Sequence, residues 1–199
     1  MRDHAVYLVG IDPPNNLLTE LTEVNRRLFR SFGIVSGLSF DPLIPVCALG
    51  ELPDKPALSL MPRLPPLSTQ QWKVVQENLF LSLDPQEPLR RIIAAIRSVF
   101  AHRESQDPPI PSYPAIYLSR LDDPAPGEKW PESVEELSKP GVRQREEVIT
   151  TLGPPPRLRW TGAALSCRRV VLNETKGRWR GTVNELCWTI RLRGEREKS

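Results

Sequence analysis

The side chains of this chain that could do chemistry are few, and they are scattered. There are two histidines, His4 and His102, and three cysteines, Cys47, Cys167 and Cys187. Imidazole is the ordinary acid–base group of neutral solution, with a pKa of about 6.5. Neither histidine stands in an active-site motif. His4 precedes the first predicted strand and is expected at the surface. His102 follows a predicted helix, where a cation is favoured near the C-terminal dipole. No Cys-x-x-Cys pair occurs, and a structural zinc site takes about four clustered soft ligands, so neither a metal nor a cofactor is expected. Asp122-Asp123 opens a proline-rich stretch and reads as a solvated turn. Glu135-Glu136 and Glu146-Glu147 read as exposed charge. The sequence has no Gly-rich phosphate loop, no Gly-x-Ser-x-Gly elbow and no His-Glu-x-x-His.

The elements that would position any site begin with Ala5–Ile11, a short run of β-formers ended by Asp12-Pro13-Pro14. A helix follows, capped by Asn15 or Asn16. Leu17, Leu18, Leu21, Val24, Leu28 and Phe32 recur at helical spacing, with Arg26, Arg27 and Arg30 outside the stripe. Gly33 is its natural stop. Ser39–Leu49 reads as a strand faulted at Pro45, hence an edge or a bulged strand. Ala57–Leu60 and Trp72–Leu83 read as further strands. A second helix starts after Asp84 as cap, with Pro85 in the first turn and Glu87 completing a capping box. Leu89, Ile92, Ile93, Ile96, Val99 and Phe100 form its stripe. Ala115–Leu121 is a strand. Asp122–Pro156 is polar and proline-rich, with a short helix predicted at Pro131–Ser138. Two strands close the chain, Leu158–Leu172 and Arg178–Arg193, joined by a turn at Asn173–Gly177. In the last, Leu186, Trp188, Ile190 and Leu192 alternate with Cys187, Thr189, Arg191 and Arg193, a half-buried antiparallel pattern.

Helices and strands do not alternate strictly, so the fold class is α+β rather than a doubly wound sheet. The 199 residues suffice for one domain of two lobes. Its 22 prolines concentrate in connections, chiefly near 52–70 and 122–156. No apolar run approaches the ~20 residues of a membrane span. The odd cysteine count and the lack of a leader pattern point to a reducing, cytoplasmic setting. The net charge of +3 is uneven. Residues 157–199 hold eleven Lys/Arg against four Asp/Glu, which suits a polyanionic partner as well as a solvated surface. Arg178, Arg180, Arg191 and Arg193 are the candidate anion-binding residues. Trp160, Trp179 and Trp188 lie among arginines, an interleaving that can stack bases or simply place Trp inside and Arg outside.

The element order, together with AVYLVGIDPP, PLIPVCALGEL and YPAIYLSR, resembles the 2H phosphoesterases, the 2′-5′ RNA ligase-like group. The resemblance spans nearly the whole chain. It implies two pseudo-symmetric lobes of antiparallel sheet with helices packed outside, around a central groove. The surviving frames are Leu49-Gly50-Glu51 and Pro114-x-x-x-Leu118-x-Arg120. The family carries two His-x-Thr/Ser motifs facing each other, one histidine acting as base and the other as acid on a cyclic phosphate or 2′-5′ bond. Here those places read Leu43-Ile44-Pro45 and Ala115-Ile116-Tyr117. Neither Leu43 nor Ala115 can transfer a proton, and no histidine lies between His4 and His102 or after it. On regular strands Leu43, Pro45 and Cys47 would share one face, and Ala115, Tyr117 and Ser119 another. Cys47, Tyr117 and Ser119 are then the candidate groove-lining residues. A nucleophilic Cys47 would need a base or cation beside it. Arg120 would point away from the groove.

Three readings follow. The first is a non-catalytic relative that binds RNA, a nucleotide or a protein partner through the groove or the basic C-terminal strands. The second is a phosphodiesterase-type enzyme with replaced catalytic residues. The third is an unrelated α+β protein-interaction domain. The arrangement of residues 43–47 and 115–119 discriminates among them.

Overall fold

The computed structural model describes residues 3–32, 34, 41–75, 77–105, 110, 112–121, 142–175 and 178–194. The first strand, β1 (Asp3–Asp12), carries the apolar run and ends at Pro13-Pro14. Helix α1 (Asn15–Phe32) buries Leu17, Leu21, Val24 and Leu28, spaced so that one stripe faces the core. Its first internal bond runs from the Leu18 N–H to the Pro14 carbonyl at 2.9 Å. Pro14 therefore holds the cap position, and neither Asn15 nor Asn16 caps from outside. Strand β2 (Ile44–Leu49) follows, then a 3₁₀ turn at Leu58–Leu60 where a strand was expected over Ala57–Leu60.

Trp72–Leu83 is not one strand. It is the hairpin of β3 (Leu67–Val75) and β4 (Asn78–Asp84). The reversal uses Glu77 at a φ of 66°. A left-handed residue that is neither Gly nor Asn leaves no turn signal in the sequence. Helix α2 (Gln86–Phe100) buries Leu89, Ile92, Ile93, Ile96 and Phe100. Its N-cap is Pro85, without a side-chain cap bond, because Asp84 is still in β4. Glu87 instead accepts from Arg91 at 3.2 Å.

Strand β5 (Ala115–Arg120) precedes helix α3 (Val142–Leu152), which lies inside the stretch read as a proline-rich connection. Val148 and Leu152, one turn apart, are buried in the core. The helix expected at Pro131–Ser138 lies outside the described residues. Leu158–Leu172 divides at Gly162 into β6 (Arg159–Trp160) and β7 (Ala163–Thr175), and β8 is Arg178–Leu192. Pairing of β7 with β8 continues to Thr175↔Arg178, so the turn is shorter than Asn173–Gly177. Leu186 is 52% exposed despite its place in the alternation. A register shift opposite Cys167/Arg168 turns it outward.

The eight strands among the described residues form two antiparallel four-stranded sheets, β2-β1-β7-β8 and β5-β4-β3-β6. Each repeats one plan. A strand, a helix and an antiparallel edge strand (β1-α1-β2 and β4-α2-β5) lie beside an added pair. The edge strands β2 and β5 meet at an antiparallel bridge, Leu43↔Tyr117, closed by the Tyr117 N–H donating to the Leu43 carbonyl at 2.8 Å. This is the α+β class expected from the element order, in the two-lobed arrangement that the resemblance implied. One apolar cluster lies under the helices and joins the lobes, with Leu21 and Leu28 of α1, Ile93 and Ile96 of α2, and Ile11 and Leu81 of the sheets. The opposite, inter-lobe face carries a smaller cluster of its own.

Candidate functional site

The positions where a proton-transfer pair would be sought lie side by side across the β2–β5 junction, and they are packed shut. Leu43, Ala115 and Tyr117 are buried together with Val6, Leu8, Phe80, Val170 and Ile110. The Phe80 ring lies 4.9 Å from Tyr113 and 5.7 Å, edge-on, from Tyr117. Tyr117 is a packed aromatic, 2% exposed. Ile110 and Tyr113 come from the α2–β5 connection and fill the space between the lobes. Gly10, opposite Pro45, leaves room for the Leu43 side chain: an added Cβ would stand 2.6 Å from Leu43 Cδ1 and 3.2 Å from the Ile44 carbonyl oxygen, so Leu43 would have to shift. The leucine side chain lies across the glycine.

Cys47 does not share a face with Leu43 and Pro45. Gly10 pairs with Pro45 but Val9 pairs with Cys47, so β2 carries one extra residue, Val46. That bulge turns Cys47 to the helix side, in the main core. Burial there pushes its thiol pKa up to about 12, with Glu104 adding to the rise and Arg97 opposing it. A thiol so placed is protonated and inert. β5 repeats the device. Phe80 pairs with Tyr117 but Leu79 with Ser119, leaving Leu118 as the extra residue. Ser119, fully buried, is thereby turned to the helix side beside Leu79 rather than into the groove. The same bulge brings Arg120 opposite Asn78, on the face of Phe80, whereas a regular strand would turn it away.

The polar chemistry of this face lies further out, and sequence reading missed it. Asp12, at the end of β1, accepts from Ser166 Oγ at 2.8 Å and from Arg168 Nη2 at 3.4 Å. Arg168 Nη1 donates to Asp41 at 2.8 Å. The buried Arg168 Nε–H has no partner among the described residues. Burial raises the Asp12 pKa from its ordinary 3.8, against the lowering pull of Arg168 and of the Ser166 bond. The only signal in the sequence was Ile-Asp-Pro-Pro, which reads as a strand end. Nothing local tells Arg168 from its neighbour Arg169.

Beside this cluster opens a cleft of about 590 Å³, lined by Asp12, Thr161, Arg168, Thr189 and Arg191 among others. A second depression of about 290 Å³ is lined by Arg63 and Arg193 with Ser59. Arg63, Arg191 and Arg193 are exposed and make no ion pair with described residues. Of the four arginines singled out in the closing strands, Arg191 and Arg193 thus stand at open depressions. The side chains of Arg178, Arg180 and Trp179 lie outside the described residues. Trp160 is buried in the core. Trp188 stacks on Phe100 at 6.3 Å and donates to the Pro53 carbonyl at 3.0 Å. Trp160 is thereby closed to a base, and Trp188 has one face against Phe100. Among the described residues no group of three His, Cys, Asp or Glu could hold a metal. Nor is any helix long and apolar enough to cross a membrane.

No protein-family model matches the chain, and no curated protein matches it. Among solved structures, E. coli LigT complexed with 3′-AMP is similar at 14% identity, with a TM-score of 0.48, over 96% of this chain and 99% of that one.

Proposed function

We propose that the chain is a non-catalytic protein of 2H phosphoesterase-like architecture that binds RNA or a nucleotide by its phosphates, at the arginines beside the end of β8. The observation that carries the loss of catalysis is the β2–β5 junction. The two places where a histidine pair would stand hold Leu43 and Ala115, and both are buried in an apolar cluster. General acid–base transfer needs a titratable group within hydrogen-bond reach of its substrate. A filled apolar groove speaks against replaced chemistry at Cys47, Tyr117 or Ser119. The paired lobes, with matching bulges at Val46 and Leu118, speak against an unrelated interaction domain.

Binding is supported by Arg63 and Arg193, which share a depression and make no ion pair with a carboxylate among the described residues. Such groups release counterions when a phosphate docks. The test is a titration of single-stranded RNA of about ten nucleotides against salt. Affinity should fall with salt. Arg63→Gln and Arg193→Gln should each flatten the slope by about 0.7. No turnover of 2′,3′-cyclic nucleotides or 2′-5′ linked RNA is expected. Flat titrations at low salt would remove the RNA reading, and turnover would remove the non-catalytic one.

A further inference from the structure

The chain leaves β8 through a regular series, Thr189, Arg191 and Arg193, each two residues from the next and each exposed. Ile190 and Leu192 between them are buried, so the three side chains stand on one face. Residues two apart on a strand are about 6.6 Å apart along it. β8 is the outer strand of its sheet, so the series runs along a sheet margin. Each arginine stands in a different hollow. Arg191 and Thr189 line the cleft of about 590 Å³. Arg193 lines the depression of about 290 Å³ with Arg63. The end of β8 is thus a bank common to both.

Both hollows carry unmatched positive charge. In the cleft Asp12 is paired with Arg168 and accepts from Ser166, which leaves Arg191 as the excess. Arg191, Arg193 and Arg63 make no ion pair with a carboxylate among the described residues. Ala164, directly opposite Arg191 on β7, is too small to close the cleft over it. Thr189 and Thr161 add exposed hydroxyls to the lining. No aromatic ring is among the described residues lining either hollow, so the layout reads phosphate rather than base. A single phosphate fills one hollow and leaves the other arginine unmatched. A strand with successive phosphates fills both.

We propose that the ligand is an oligonucleotide strand rather than a mononucleotide, with one phosphate at Arg191 and Thr189 in the cleft and the adjacent one at Arg193 and Arg63. This rests on the phosphate reading of Arg193 and Arg63, and it adds Arg191 as a second contact on the same strand. A phosphate held in one hollow raises the effective concentration of its neighbour in the other.

The experiment titrates the whole chain with UMP, with the dinucleotide pUpU, which carries two phosphates, and with an oligouridylate of about ten nucleotides. Backbone amide shifts at residues 162–164 report the cleft, and those of Met61 and Arg63 report the depression. The dinucleotide should move both sets with one Kd, about tenfold or more below that of UMP. Arg191→Gln should remove that advantage and flatten the salt slope of the oligouridylate by about 0.7, as Arg193→Gln does. Arg191→Lys keeps the charge and should keep the slope. The proposal is overturned if the dinucleotide binds no more tightly than UMP, if it moves only one set of amides, or if Arg191→Gln leaves the slope unchanged. In any of those cases a flatter slope for Arg193→Gln still upholds the phosphate reading. No response to any strand at low salt overturns both.

Discussion

Asp12 shows how one residue of this chain is read differently by sequence and by structure. In the sequence it is the polar end of a strand, before two prolines. In the fold it is a largely buried carboxylate whose pKa is raised chiefly by desolvation. A folded-state pKa above the unfolded 3.8 means the native state binds the proton more tightly. The stabilisation from that proton is complete below 3.8 and is lost as pH rises through the folded value. Asp12→Asn removes this linkage and keeps an acceptor for Ser166. The stability of wild type relative to Asp12→Asn should therefore increase as pH is lowered from 7, measured by denaturant titration at each pH. An unchanged or falling difference would contradict the raised pKa. The thiols give a second residue-scale test. Burial holds both Cys47 and Cys167 near 12, while Cys187 is partly exposed. A thiol reagent at neutral pH should modify Cys187 alone in the native chain and all three cysteines in denaturant. Rapid native labelling of Cys47 would contradict its place in the core.

At the scale of elements, what was legible followed from period. The stripes of α1 and α2, with apolar residues three and four apart, are visible in any such sequence. So is Pro45, which fits the edge strand β2. What was not legible came from single-residue irregularities. The extra residues Val46 and Leu118 reverse the faces of Cys47, Ser119 and Arg120. Period-two counting cannot foresee that, because a bulge shifts every later side chain to the other face. The β3–β4 hairpin was hidden because its turn uses Glu77, and α3 because its apolar residues are few in a proline-rich stretch. The element energetics are testable on α2. Ile96 is fully buried, so Ile96→Ala should lose about 2–5 kcal/mol in denaturant titrations. Arg91, exposed and paired with Glu87, should give less than about 0.5 kcal/mol on replacement by Ala. Comparable losses would mean that α2 is held by its surface rather than by its stripe.

For the whole molecule, the element order foretold the α+β class and the resemblance two lobes, but neither foretold the fate of the space between them. That space is filled by Leu43, Phe80, Ala115 and Tyr117, with Ile110 packed against them, and the one phenol of these four is buried in the apolar cluster. A groove that binds substrate must stay open to water and polar at its floor. A filled one instead ties its two walls together. The lobes are also joined beneath the helices, where α1 and α2 contribute to one cluster. Unfolding should therefore be a single cooperative transition. Phe80 is the largest fully buried side chain of the described core and belongs to the inter-lobe cluster. Phe80→Ala should remove about 3–5 kcal/mol. The loss should appear equally in hydrogen exchange at the slowest amides of α1 in one lobe and α2 in the other. If only the α2 amides respond, the lobes unfold separately, and the apolar junction fills the space between them without joining its walls.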